Sequence, residues 1–239
     1  MSALDAHAGR RAELEQRLGA VRARIVRACD AAGRDPGELT LIAVTKFFPA
    51  SDVDLLAELG VRAIGENRDQ EAGPKVGALT HRADLTVHFI GQLQTNKAHS
   101  VVRYADVIQS VDRPKLVAAL DRAAADQGVR CSVLVQVSLD TDGAGRGGVH
   151  PRGAGELADA VAGAEHLELR GVMGVAPLGA DAGEAFGRLQ KIAGGIRAAH
   201  PEAGWISAGM SGDLEAAVAH GATHLRVGSA ILGSREPHR

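Results

Sequence analysis

The sequence predicts a single (β/α)8 barrel of the TIM type, preceded by one extra helix. Three observations predict it. Eight short apolar runs rich in β-branched residues punctuate the chain, helical periodicity fills most of the gaps between them, and 239 residues is a usual length for one such barrel. Eight strands favour a closed barrel over an open doubly wound sheet. Hydrophobic residues make up 45% of the chain and aromatic residues only 3%, so the core has to be built from Val, Leu, Ile and Ala.

Residues 8–34 read as a long amphipathic helix that stops near Gly33. LTLIAVTKF (39–47) is the first strand, and PASDVDLLAELG (49–60) is a helix with Ser51 as its cap and Gly60 as its stop. VRAIGEN (61–67) and TVHFIGQL (86–93) are strands two and three, followed by a short helix over 95–103. ADVIQSVD (105–112) leads into RPKLVAALDRAAADQG (113–128), a helix with proline near its start and glycine at its end. CSVLVQVSLD (131–140) and LRGVMGVAP (169–177) flank a helix over 153–163, and a further helix covers 182–200. GWISAGMS (204–211), the helix SGDLEAAVAHG (211–221) and the strand THLRVGSAILG (223–233) complete the count. Six residues then remain, too few for an eighth helix, so the N-terminal helix is expected to cover that gap. With no linker or low-complexity tract, the expectation is one domain over residues 1–239, its barrel spanning 39–233.

The formal net charge of −2, with charges scattered along the chain, argues against a nucleic-acid or anionic-membrane partner. No apolar run approaches a membrane span, and the Arg- and Glu-rich start is unlike a signal peptide, so a cytoplasmic protein is expected. Cys29 and Cys131 lie far apart and lack metal-ligand spacing, so they read as free thiols, and no metal site is expected.

Active sites of β/α barrels gather at the C-terminal ends of the strands. Those ends supply Lys46, Glu66, Asn67, residues 92–96, 110–112 and 138–148, Met173, residues 207–211 and residues 226–229. SAGMSGD (207–213) and RVGSAILG (226–233) follow strands seven and eight, where barrel phosphate sites are often built. Backbone N–H groups of Gly209, Met210, Ser211, Gly228 and Ser229, with the hydroxyls of Ser207, Ser211 and Ser229, could converge on one anion. The plainer reading makes Ser211 a helix cap and the glycines simple turns.

Lys46 closes an apolar strand in a chain that has only five lysines against 22 arginines. It could pair with a phosphate, form a Schiff base with an aldehyde once neutral, or serve structure alone. Arg226 shares a strand face with Gly228. A guanidinium stays protonated, so a ring nitrogen facing it stays unprotonated, although an ion pair is the plainer use. A ligand with an aldehyde, a phosphate and a pyridine nitrogen is pyridoxal 5′-phosphate (PLP).

The strings AVTKFFPA, IGENRDQE, HFIGQLQTNK, RGVMG, SAGMSGD and RVGSAILG, in order over residues 10–235, resemble the pyridoxal phosphate homeostasis proteins (the YggS/PROSC type). The resemblance implies a barrel like the N-terminal domain of alanine racemase and PLP held as a Schiff base on Lys46. It places phosphate contacts on Ser207, Met210, Ser211, Gly228 and Ser229, the pyridine-nitrogen contact on Arg226, and Asn67 and Met173 near the cofactor. The departures are Arg68 where tyrosine is common, Arg146 for lysine in a glycine-rich 138–150 loop, and Ser229 for threonine.

The implied role is intracellular PLP storage, delivery and scavenging without robust catalysis, with apo PLP-dependent enzymes as candidate recipients and a monomer as the expected state. Alanine racemase draws a second acid/base tyrosine from a further domain. Here the single tyrosine, Tyr104, precedes strand four at the far end of the barrel. An unprotonated pyridine is also a poor electron sink. The alternatives are a PLP-dependent amino-acid racemase using His88 as second base, and a lysine Schiff-base aldolase. A structural role for His88 is the plainer expectation.

Overall fold

The computed structural model describes residues 3–140 and 147–233. Eight parallel strands, β1 (Thr40–Val44), β2 (Ala63–Glu66), β3 (Thr86–Phe89), β4 (Val107–Val111), β5 (Cys131–Gln136), β6 (Leu167–Met173), β7 (Trp205–Ser207) and β8 (His224–Val227), pair in sequence order. Pairing of β8 with β1, Arg226 opposite Ile42, closes the barrel. The helices are α1 (Ala3–Ala32), α2 (Ala50–Glu58), α3 (Asp69–Gly77), α4 (Ala98–Val102), α5 (Pro114–Gln127), α6 (Ala154–Ala162), α7 (Ala182–Ala199), α8 (Leu214–Ala219) and α9 (Ser229–Leu232).

Most of the core lies between the strands and this helical shell, where Ala43, Ile64, Val87, Phe89, Ile108, Val133 and Val172 meet apolar helix residues such as Leu56, Val101, Leu120 and Leu189. The barrel interior is different. A small cluster of Val107, Leu134 and Met173, edged by Val175 and Trp205, shares it with the buried polar side chains His88, Gln109, Ser207, His224 and Arg226.

Helix α1 covers the gap left by the short eighth helix, as its position in the sequence suggests. Its buried face carries Leu14, Leu18, Val21, Ile25 and Cys29. Arg10 grips Asp52 through Nη2 at 2.6 Å and reaches Leu232 O at 3.1 Å. Arg24 makes a two-pronged pair with Glu215, both contacts 2.9 Å, and donates to Ser211 O at 3.0 Å. The helix thereby ties down the loop after β7, the start of α8 and the end of α9.

Three expectations need correction. RVGSAILG does not form one strand: β8 ends at Val227, and residues 229–232 turn into α9 behind Gly228. Ser51 is not the cap of α2: Pro49 occupies that position, and its carbonyl accepts the Asp52 N–H at 3.1 Å. Helix α3 has no counterpart among the anticipated helices. Gly73, Pro74 and Gly77 lower its intrinsic helix propensity, and the burial of Ala72 and Val76 with the Lys75 bonds to Glu66 of β2 and to Thr45 O holds it instead. No helix among the described residues is long and apolar enough to cross a membrane.

Candidate functional site

A cavity of about 550 Å³ opens at the C-terminal mouth of the barrel beside β1 and β8. Val44, Lys46, Phe48, Met210, Ser211, Gly212, Arg226, Gly228, Ser229 and Gly233 line it. Lys46 is half-buried, two residues beyond the end of β1. Parallel pairing of β1 with β8 is what brings Lys46 and Arg226 to one cavity although 180 positions of sequence separate them.

Arg226 is buried, 4% exposed. Its Nη1 donates to Ser207 Oγ at 2.6 Å and its Nη2 to Gly174 O at 2.9 Å. Among the described residues no carboxylate pairs with it. Burial pushes its pKa down to about 10, partly offset by the charge of Asp213, so it remains a cation near neutral pH. An arginine only donates, which fixes the proton order of the chain beneath it. Ser207 Oγ accepts from Arg226 and donates to Gln109 Oε1 at 2.7 Å, and Gln109 Nε2 then donates to His88 Nδ1 at 2.9 Å. His88 is thereby neutral with its proton on Nε2, and burial, with the charges of His224 and Arg226 adding to it, drives its pKa down to about 3. His224, 6.0 Å from His88 between ring centroids, is pushed down to about 4, first by burial and then by Arg226.

Ser211 and Ser229 face each other across the cavity's outer end, Oγ to Oγ 3.4 Å, and the Ala230 N–H lies 3.4 Å from Ser211 Oγ. Ser211 is not the cap of α8. Asp213 stands at that position, and its Oδ1 accepts the Met210 N–H at 2.6 Å. Gly209 holds φ of +87°, and a Cβ there would lie 2.6 Å from that of Ala217, so this turn requires glycine.

On the opposite side of Lys46, a charged cluster joins β1, β2 and α3. Lys75 Nζ donates to Glu66 Oε1 and Oε2 at 2.9 and 3.1 Å, to Glu71 Oε1 at 2.8 Å and to Thr45 O at 2.9 Å. Thr45 Oγ1 donates to Glu66 Oε1 at 2.6 Å. Burial raises the Glu66 pKa against the opposing hydrogen bonds of Thr45 and Lys75. Glu71 also feels burial, but its bonds to Lys75 and to the Phe47 N–H outweigh it and lower its pKa.

The family model of the alanine racemase N-terminal domain matches residues 17–236. A pyridoxal phosphate homeostasis protein of Mycobacterium tuberculosis is 46% identical, over 97% of this chain and 96% of that one. Another of the same name from Escherichia coli is 34% identical over 94% and 97%. The structure of PipY from Synechococcus elongatus with PLP bound superposes with a TM-score of 0.81 at 34% identity, over 92% of this chain and all of that one. The chain belongs to the pyridoxal phosphate homeostasis family. Its barrel is an alanine racemase N-terminal domain fold.

For this family member, six of the nine residues singled out in the sequence line the cavity: Lys46, Met210, Ser211, Arg226, Gly228 and Ser229. Three do not. Ser207 lies in the barrel interior with its hydroxyl used twice, as the support of Arg226. Met173, at the end of β6, packs in the interior cluster. Asn67 is half-buried past β2, where its carbonyl oxygen would be only 2.0 Å from a Cβ on Gly91, which accounts for the glycine of HFIGQLQTNK. Within the six, the Met210 N–H is turned to Asp213 rather than into the cavity.

His88 and Tyr104 are not among the residues that line the cavity. His88 is in the interior, in the layer of His224 beneath Arg226. Tyr104 is buried with its ring near Gly73 of α3, and burial raises its pKa. Arg68 sits with its guanidinium 5.2 Å from the ring centre of Phe47, and Arg146 lies outside the described residues. The sequence reading passed over Val44, Phe48, Gly212 and Gly233 in the cavity wall and the Lys75–Glu71 pair behind Lys46. The sequence signals for that pair are the scarcity of lysines and the i, i+4 spacing of Glu71 and Lys75.

Proposed function

We propose that this chain, as one barrel unit over residues 1–239, binds PLP at the β1/β8 cavity through a Schiff base on Lys46 and acts in intracellular PLP storage, delivery and scavenging. The observation that supports this most is the convergence on one cavity of three different recognition groups. Lys46 offers an amine. Arg226 offers a fixed cation whose hydrogen-bond partners are all neutral, so its charge is not cancelled by a carboxylate. Ser211 and Ser229 offer paired hydroxyls beside the Gly228 turn. These match an aldehyde, an unprotonated pyridine nitrogen and a phosphate, and a cavity of about 550 Å³ has room for a ligand of that size.

The bound group supplies an electrophilic aldehyde that amines capture reversibly. Lys46 would supply the capturing amine, and because such capture only exchanges water for the amine it would be reversible by hydrolysis. Holding without turnover fits the surroundings. The two candidate second acid/base groups, His88 and Tyr104, are both outside the cavity lining, and Arg226, a permanent donor, would leave a facing ring nitrogen unprotonated and so would disfavour carbanion chemistry. The family relatives are named for homeostasis rather than for a reaction.

The test is the visible absorption spectrum of purified protein given PLP, for wild type and Lys46→Ala side by side. The expected result is a yellow wild type whose band borohydride bleaches, little or no such band in the variant, and no sustained racemisation of L- or D-alanine. A colourless wild type that takes up no PLP overturns the cofactor, and steady racemisation overturns the carrier role.

A further inference from the structure

Phe47, directly after Lys46, has φ of +72°, the one non-glycine residue at positive φ among the described residues. A side chain with a Cβ disfavours that conformation, and phenylalanine has no local hydrogen bond of the kind that lets Asn or Asp adopt it. Such a strained residue persists where its surroundings hold it, and it clusters at functional sites. Here the hold comes from α3. The Phe47 N–H donates to Glu71 Oε1, and the same oxygen accepts from Lys75 Nζ at 2.8 Å. Lys75 also donates to Thr45 O at 2.9 Å, which closes the turn by accepting the Phe48 N–H at 3.1 Å. Glu66, whose side chain is fully buried, takes the Thr45 hydroxyl and neutralises Lys75. The residues on both sides of Lys46 are therefore gripped by charged side chains that do not themselves line its cavity.

We propose that Glu71, seconded by Lys75, is a positioning residue that holds the turn of residues 45–47, with Phe47 in its left-handed conformation, so that the Lys46 amine is aimed into the cavity. This rests on the assignment of Lys46 as the PLP-capturing lysine. It is a separate claim, because it concerns the backbone around Lys46 rather than the amine.

Glycine adopts φ of +72° without strain, so Phe47→Gly should make the clamp dispensable. Glu71→Ala, which removes the acceptor, should slow the growth of the PLP absorption band by about tenfold. Glu71→Gln keeps an oxygen for the Phe47 N–H and should lose less. In the Phe47→Gly background, Glu71→Ala should change the capture rate by less than about twofold. A residue that merely stabilised the fold would lower the unfolding midpoint in both backgrounds and would not be rescued by glycine at 47. Amide hydrogen exchange at Phe47 in PLP-free protein gives a second readout, expected to quicken about tenfold in Glu71→Ala.

Wild-type capture with Glu71→Ala equally fast and Phe47 equally protected overturns the clamp and leaves the Lys46 assignment standing. A wild type without the band overturns the Lys46 assignment, and Phe47 exchange alone then decides the clamp: quickened in Glu71→Ala upholds it, unchanged refutes it. Should Glu71→Ala fail to fold, Glu71→Gln with and without Phe47→Gly carries the same comparison, and an equal slowing in both backgrounds refutes rescue.

Discussion

Lys46 and Arg226 reach the same cavity from neighbouring strands, yet they are supported in opposite ways. Beneath Arg226 the partners are neutral: a serine hydroxyl, a backbone carbonyl, then Gln109 and His88. Behind Lys46 the partners are ionic: Glu66 and Glu71 with Lys75 among them. The difference follows from what each group has to do. A buried arginine answered by a carboxylate would spend its charge inside the protein, whereas one held by neutral acceptors keeps it for a ligand. Around Lys46 the requirement is geometric, because the turn that presents the amine is strained. A carboxylate is the strongest acceptor available to hold the Phe47 N–H, and Lys75 balances its charge locally.

The largest effect should come from the ionic side. Lys75→Met leaves Glu66 buried without its cation, at an expected cost of about 3–5 kcal/mol in urea unfolding near neutral pH. A loss below about 1 kcal/mol would mean that the cluster is far less insulated from water than it looks.

The two sides should next part company in acid. His88 and His224 have folded pKa values of about 3 and about 4, well below the ordinary 6.5. A depressed histidine pKa means that the unfolded chain binds the proton first, so stability falls as pH drops below about 6.5. Each histidine should cost about 2 kcal/mol between about pH 7 and 5. Glu66, raised instead, works in the opposite direction: its contribution is complete below the ordinary carboxylate range and fades as pH rises through its folded pKa. Unfolding curves across pH for wild type and Glu66→Gln should begin to diverge as pH rises above the ordinary carboxylate range and should differ by a constant amount above the folded pKa of Glu66.

A smaller effect distinguishes two serines that look alike in sequence. Ser207→Ala removes an internal acceptor and donor, and should cost about 1–3 kcal/mol of stability. Ser211→Ala touches a half-exposed hydroxyl, and should move stability by less than about 0.5 kcal/mol while weakening PLP binding about tenfold. Equal stability losses at the two positions would erase the distinction between support and ligand contact.

These serines also mark how far the sequence could be read. The closed barrel was legible because alternating strand and helix patterns leave few other arrangements, and the strand ends then gathered Lys46, Arg226, Ser211 and Ser229. The interior position of Ser207 was not legible because a hydroxyl says nothing about facing. Only the three-residue strand β7, with Trp205 and Ser207 on the interior side, shows that it points inward. Helix α3 was invisible because two glycines and a proline hide it, and without the helix the i, i+4 spacing of Glu71 and Lys75 gave no reason to reach back 24 positions to the Phe47 N–H. The string 226–233 looked like one strand because Ala, Ile and Leu suit either element, and the break at Gly228 is a backbone matter.

The most direct test of the account is to incubate the protein with PLP, reduce it with borohydride, digest it and locate the pyridoxyl group by mass spectrometry. The account predicts modification at Lys46 in the wild type, with about one group per chain. Modification chiefly at Lys75 or Lys97, or a wild type that remains unlabelled, would contradict it.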